Sequence, residues 1–386
     1  MIAILAGLWC LGAAAFWAVA WIAVERVRAL PRLREAEAPA PAAWPRLSVV
    51  SPACNEEEAI EASVRSLLVQ DYPDLEIVAV DDRSTDRTGA LLDALAEADP
   101  RLAVEHIQRL PEGWLGKLNA LQRGVARASG DWLLFADADT VYAPHALRHV
   151  VAFCEAEGVD LLTLFPELLP MGLLGDATIF AAGVFGSPAG RMWAVADPDS
   201  DAFCGLGAFI LVRRAAFART PGFEWLRLEV ADDMGLGLMV KRAGGACRVG
   251  QGVGLLKLRW YRDFSEMSRK MQKNFYGILG RFSAARVLSA VAFLLATVLF
   301  PLAALAPGLP AWAVLPGLAL MHLATLRMTG WLELRRPARW LPELGLLGMA
   351  WIMVRAAWIG AREDGITWRG VRYPASELRG VQKVRF

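Results

Sequence analysis

The sequence predicts an α/β domain with a mostly parallel sheet, flanked at both ends by apolar segments of membrane length. Three observations predict it. From about residue 47, short apolar runs that end in acidic turns alternate with amphipathic helical stretches, the pattern of a sheet covered by helices on both faces. Residues Ile2 to Val24 carry no charge, and roughly 20 such residues span a bilayer as a helix. A second apolar zone begins near Val287 and is broken by Pro301, Pro307 and Pro310.

Taken in chain order, residues 1–25 read as an uncleaved transmembrane anchor. A cleaved signal peptide needs a positively charged start, whereas here Arg26, Arg28, Arg32 and Arg34 come after the apolar run. The positive-inside rule then places the residues after 25 in the cytoplasm. Residues 26–45, with Ala38-Pro39-Ala40-Pro41, read as a linker, and 46–262 as the soluble domain. Its strands are expected at Leu47–Pro52, Leu75–Val80, Leu102–Val104 and Trp132–Phe135. Between them, Ile60, Val64, Leu67 and Leu68, then Leu91, Leu92 and Leu95, have the spacing of helices with one buried face. Residues 263–286 read as an amphipathic interfacial helix, with Phe264, Met267, Met271, Phe275 and Ile278 on one face. Packing in the core of the soluble domain would give the same spacing.

Residues 287–360 form the C-terminal membrane region. To about Leu326 they suit a hairpin turning at Ala306-Pro307-Gly308, with Arg281 and Arg286 before it and Arg327, Arg335, Arg336 and Arg339 after it. Leu341 to Gly360 fits a span, a re-entrant segment or an interfacial helix. A single span would leave the basic tail (361–386, with Arg362, Arg369 and Arg372) outside.

Composition narrows the class. Net charge is +1, so the chain as a whole is not built for nucleic acid. Hydrophobic residues make up 55% and tryptophans number 15, which suits a membrane protein. The five cysteines are scattered singly and read as reduced thiols.

Three aspartate segments carry the chemistry: Asp81-Asp82, Asp137-Ala138-Asp139 and Asp232-Asp233. In an open α/β sheet, acidic turns after strands lie at the carboxyl edge, where ligands bind. Carboxylates gathered there repel one another, and a divalent cation is their natural complement. Asp137 and Asp139, at alternate positions of an extended segment, would share a face and point at one Mg2+ or Mn2+. Asp233, at a helix start, suits a general base or a plain cap. Pro52-Ala53-Cys54-Asn55-Glu56-Glu57 comes after the first strand; it suits a base or ribose contact, or only an acidic first helical turn. Lys117, after Gly113-Trp114-Leu115-Gly116, suits phosphate oxygens or solvent.

Assembled in this order, the residues from about Leu47 to Tyr261 resemble the family-2 glycosyltransferases of the GT-A type, with a Rossmann-like, nucleotide-sugar-binding domain. The membrane-bound, lipid-glycosylating branch, with its ceramide glucosyltransferases and hopene-associated glycosyltransferases, looks most similar. The resemblance implies that Asp81 and Asp82 hold the uridine of a UDP-sugar, with Pro52, Asn55 and Glu57 lining the pocket. Asp137 and Asp139 match the DxD pair, which positions the sugar or ribose and binds the metal, and Asp233 matches the catalytic base. Arg259 and Trp260 match the end of the Q-x-x-R-W motif, although Leu256 stands at its glutamine position. The expectation is therefore an inverting, metal-dependent transferase at a bacterial-type plasma membrane, multi-pass, with its catalytic domain cytoplasmic. It would move a sugar to a lipid hydroxyl, in hopanoid or other glycolipid synthesis. A processive polysaccharide synthase, a polyprenyl-phosphate sugar transferase and a non-catalytic nucleotide-sugar-binding scaffold are the alternatives.

Overall fold

The computed structural model describes residues 1–385; the last residue of the basic tail, Phe386, lies outside them. After helix α1 (Ile2–Arg28), the soluble domain runs β1 (Leu47–Ala53), α2 (Ile60–Leu68), β2 (Leu75–Asp82), α3 (Thr88–Ala98), β3 (Leu102–Ile107), α4 (Gly116–Arg127) and β4 (Trp132–Phe135). It continues through β5 (Thr140–Tyr142), α5 (Ala146–Ala156), β6 (Leu161–Phe165), β7 (Glu167–Leu168), α6 (Gly172–Gly190), β8 (Ile210–Arg213), α7 (Arg214–Ala218), α8 (Asp232–Arg242), β9 (Cys247–Gln251) and β10 (Leu256–Leu258).

The central sheet has seven strands in the order β3-β2-β1-β4-β8-β6-β9. All neighbours are parallel except β8, which is antiparallel to both β4 and β6. Every residue of β1 is buried, as expected of a strand covered on both faces. The chain moves outward through β2 and β3, then returns to place β4 on the other side of β1. That reversal opens a crevice at the carboxyl ends of β1 and β4. A second sheet, β5-β10-β7, closes over the same end.

The segment read as a linker is partly docked. Leu33 is buried, its carbonyl meets the His149 ring, and Arg32 bridges to Gln251 at the edge strand β9. The expected interfacial helix is broken into α9 (Phe264–Lys270) and a π-helical stretch (Lys273–Leu279). The axis then bends by 102° into α10 (Ala284–Val298). Arg281 and Phe282 at the break have positive φ, 46° and 60°, a conformation no continuous helix contains.

Helices Ile2–Arg28, Ala311–Trp331 and Pro342–Glu363 are long and apolar enough to cross a membrane, and the bent pair ending at Val298 passes the same test as a unit. α10 runs away from the soluble domain. The turn after it lies beside the start of α1, where a Cβ on Gly308 would sit 3.6 Å from Ala3 and one on Gly7 3.7 Å from Leu309. α11 (Leu315–Trp331) comes back, ending where Arg327 pairs with Glu25 at 2.6 Å.

α12 (Pro342–Glu363) behaves differently. It packs along α6, whose two ends are both joined to the soluble domain. β7 precedes α6, and Lys241 binds the carbonyls of Val195 and Asp197 just after it. α6 was not legible as a separate element within 46–262, yet it also contacts α1 and α11. The two helices approach closely because Gly345 and Gly348 of α12 face it; a Cβ on Gly345 would overlap the Ala177 carbonyl.

Beyond α12 the chain stays on the soluble domain. It forms a hairpin, β11 (Gly365–Trp368) and β12 (Val371–Pro374), then α13 (Ala375–Leu378). Gln382 bonds the Val230 amide and the Leu228 carbonyl, and Glu229 accepts from the amides of Lys383 and Val384. The basic tail is thus built into the soluble domain. Gly345→Ala is expected to separate α12 from α6 and to cost about 1–3 kcal/mol, read as a lowered unfolding midpoint in detergent.

Candidate active site

Four of the sequence-predicted residues converge at the crevice between β1 and β4. Pro52, Lys117, Asp137 and Asp233 line one small cavity there, together with Leu121, Phe135, Gly207, Ile210, Asp232 and Leu236. Asp137 comes just after β4, Lys117 lies in the first turn of α4, and Asp232 and Asp233 open α8.

The electrostatics centre on Lys117. Its Nζ lies 2.8 Å from Asp137 Oδ1 and 2.8 Å from Asp232 Oδ2. Burial alone would depress the ammonium pKa, but Asp137, Asp232 and Asp233 together outweigh it and raise it. Burial also works against ionisation of Asp232, and the neighbouring Lys117 charge holds it below the ordinary carboxylate range. Asp233 receives no such partner. It accepts from the Met234 amide at 2.8 Å and the Gly207 amide at 3.3 Å. Burial, and then the charge of Asp232, push it up to about 6. The two adjacent aspartates are therefore unlike: one is a paired anion and the other a carboxyl raised toward neutrality.

Asp137 and Asp139 are unlike as well. The segment is a turn rather than the extended strand expected, with the Thr140 amide donating to the Asp137 carbonyl at 3.3 Å. Asp137 is neutralised by Lys117, whereas Asp139 Oδ1 is buried without a hydrogen-bond partner. Burial, then the charges of Asp137 and Glu56, push the Asp139 carboxyl up to about 7. A buried, unneutralised oxygen of this kind fits a divalent cation. Among the described residues no group of three or more His, Cys, Asp or Glu is arranged to hold one. Such an ion would draw its remaining ligands from water and a bound diphosphate, as magnesium commonly does.

At the end of β2 the two adjacent carboxylates are satisfied by the protein itself. Asp82, wholly buried, takes two bonds from the Arg83 guanidinium at 2.7 and 3.1 Å. Asp81 accepts from the Ser84 amide and lies 2.9 Å from His106 Nδ1, whose other nitrogen meets Asp93. The mutual repulsion read from the sequence is thus relieved by Arg83 and His106. Neither was singled out, and His106 is brought close only by the β2–β3 register, which pairs it with Asp81.

Asn55 and Glu57 brace two loops. Asn55 Oδ1 accepts from the Thr85 amide at 2.8 Å, and Glu57 Oε2 from the Arg87 amide at 3.1 Å. Asn55 itself has φ of 57°, a left-handed conformation that asparagine tolerates well. Arg259 and Trp260 stand apart and exposed. Arg259 donates to the Pro170 carbonyl, and Trp260 stacks on Tyr261, with ring centroids 6.1 Å apart.

Comparison with known proteins gives a consistent picture. The family model described as glycosyl transferase family group 2 matches residues 132–359, more than half of the chain, and that described as glycosyl transferase family 2 matches 48–166. The GalNAc(5)-diNAcBac-PP-undecaprenol beta-1,3-glucosyltransferase of Campylobacter jejuni is 35% identical over 95 residues, 25% of this chain and 30% of that one. The beta-monoglucosyldiacylglycerol synthase of Synechocystis is 38% identical over 112 residues, 28% of this chain and 23% of that one. The matches therefore span less than a third of these relatives' length. A Pyrobaculum calidifontis mannosyltransferase, solved in complex with GDP-Man and Mn2+, superposes with a TM-score of 0.55 at 19% identity. It covers 92% of this chain and 99% of its own, a likeness of fold, GT-A with a mostly parallel sheet.

Lys117→Met would leave the buried Asp232 and the half-buried Asp137 without their cation, a change expected to cost about 3–5 kcal/mol. Adding Asp232→Asn should recover part of that loss. Thermal unfolding of the two variants checks it; equal midpoints would mean that Lys117 does not bridge the pair.

Proposed function

The chain belongs to the family-2 glycosyltransferases, and on that premise we propose that it moves a sugar from a nucleotide-sugar to a lipid hydroxyl at the membrane surface, with inversion. The observation that carries this reading is Asp233: a half-buried carboxylate, raised to about 6, on the wall of the crevice where the fold places its ligands.

The acceptor oxygen attacks the anomeric carbon as Asp233 takes its proton. The new glycosidic bond forms while the bond to the diphosphate oxygen breaks, its electron pair leaving with the diphosphate. One displacement inverts the configuration, so an α-linked donor gives a β-glycoside. Gly207 and Met234 hold the carboxylate in place through their amides. Lys117 holds Asp137 and Asp232 in place around it. Asp139, with Asp137, would hold Mg2+ or Mn2+; when bound, such an ion neutralises charge on the departing diphosphate. Asp81 and Asp82 stand at the carboxyl end of β2, where the nucleoside would lie.

Uridine as the base, and a lipid as the acceptor, are the finer parts of the reading. The lipid is supported by what the two curated relatives are named for, a diacylglycerol glycolipid and an undecaprenyl diphosphate saccharide. It is supported also by α12. Leu344, Leu347, Trp351, Val354 and Trp358 are exposed along one helical stripe, as in helices that lie in the membrane plane. α12 would therefore not cross: α10 goes out, α11 returns, and the residues after α12 are bonded to the catalytic domain. An in-plane α12 beside the site would present a lipid headgroup to Asp233. The resemblance to hopene-associated enzymes makes a hopanoid one acceptor to test.

Asp233→Asn should lower turnover of a UDP- or GDP-sugar, with manganese and membrane lipid, by about 10²–10⁴-fold while leaving donor binding intact. A small effect would instead favour a phosphate acceptor, which needs no strong base, and polymer formation would favour a processive synthase. Because only ionised Asp233 acts as base, wild-type kcat/KM should fall tenfold per pH unit below about 6 and level off above it. For the topology, Glu112→Cys on the catalytic domain and Glu377→Cys after α12 should react with an impermeant maleimide from the same side of sealed vesicles. Labelling from opposite sides would make α12 a span.

A further inference from the structure

The β11–β12 hairpin turns on two residues, Arg369 and Gly370, since Trp368 pairs directly with Val371. Both have positive φ, 49° and 75°, the requirement of the tight hairpin turn that favours Asn-Gly. An arginine at the first of these positions is conformationally unfavourable. Its side chain is folded inward, only 18% exposed, and Nη1 lies 3.8 Å from Asp82 Oδ2. That is too long for a hydrogen bond, and Nη1 is buried with no partner. Asp82 already has its own guanidinium, from Arg83. Arg369 is therefore a surplus cation. Asp82 and Arg83 abut Gly116 in the first turn of α4, and the next residue, Lys117, reaches Asp137 and Asp232, so Arg369 stands at the end of β2 on the side of the catalytic aspartates.

The hairpin is held on all sides. Lys273 Nζ packs 4.3 Å over the Trp368 ring, Tyr373 is buried, and the tail beyond it is bonded to Leu228, Glu229 and Val230. Gly116 leaves no room for a side chain, because a Cβ there would overlap Asp82 and Arg83. The tip is thus placed by the fold rather than left to wander.

We propose that Arg369 is a donor-binding residue, which hydrogen-bonds the diphosphate of the nucleotide-sugar, and that the hairpin forms the roof of the donor pocket. The proposal rests on the nucleotide-sugar reading above. A planar guanidinium with unused donors is the group best suited to two phosphate oxygens. Its place between the nucleoside end and the catalytic end is where a diphosphate would lie. During transfer it would share the negative charge that the leaving diphosphate gains as the anomeric bond breaks.

The test is equilibrium binding of UDP, UMP, GDP and GMP, with manganese, to the full chain in detergent, for wild type, Arg369→Ala and Arg369→Lys. For the preferred base, Arg369→Ala should weaken the nucleoside diphosphate about tenfold to a hundredfold and leave the monophosphate within about twofold; Arg369→Lys, which keeps the charge, should fall between. Unchanged diphosphate affinity in Arg369→Ala would overturn the proposal. So would equal weakening of both nucleotides, which would make the arginine a structural support only. Wild type that binds none of the four would overturn the nucleotide-sugar reading itself, and this proposal with it.

Discussion

Lys117 lies between Asp137 and Asp232, 2.8 Å from each, and the remaining geometry of the site is arranged around that ammonium. Asp137 is the first residue of the acidic turn after β4, and Asp232 opens α8, nearly a hundred residues on. Asp232 is buried, and a buried carboxylate without a partner is strongly disfavoured, so Asp232 and Lys117 depend on each other. Space for the ammonium is kept by Gly207, where a Cβ would stand 2.5 Å from Asp137 and 3.2 Å from Lys117 Nζ. Once Lys117 is committed to Asp137 and Asp232, Asp233 and Asp139 are left without a cation of their own. Both are raised toward neutrality, to about 6 and about 7.

The same logic, applied at the end of β2, gives the opposite result. Asp81 and Asp82 are neighbours in a strand, so their side chains point to opposite faces. Each then meets a different partner, His106 on one side and Arg83 on the other. A pair of acids in sequence can thus mark either a resolved charge or an unresolved one, and only the partners distinguish them.

Much of the fold was legible because strand runs such as Trp132–Phe135 and helix faces such as Ile60, Val64 and Leu67 carry their own period. Asp137, Lys117 and Asp233 were legible from residue type and place beside a strand end or helix start. Three features were not. α6 is apolar nearly all round, so it has no face to betray a helix lying against others. His106 reaches Asp81 only through strand register, which no local pattern records. The tail carried no signal that it docks, whereas Gln382 and the backbone amides of Lys383 and Val384 tie it down.

The bonds from Gln382, Lys383 and Val384 to residues 228–230 span some 150 positions of sequence. They also enclose every apolar segment from α10 to α12. During synthesis, β1 to β10 can leave the ribosome and fold long before residues 364–384 exist, since domains generally fold as units while the chain emerges. The segment before α8 can be fastened only after α10 and α11 have been delivered to their destination and the chain has come back. Completion of the domain therefore waits on its last assembly step, and a nascent domain lacks the piece that closes against residues 228–230 until α10 to α12 have been placed.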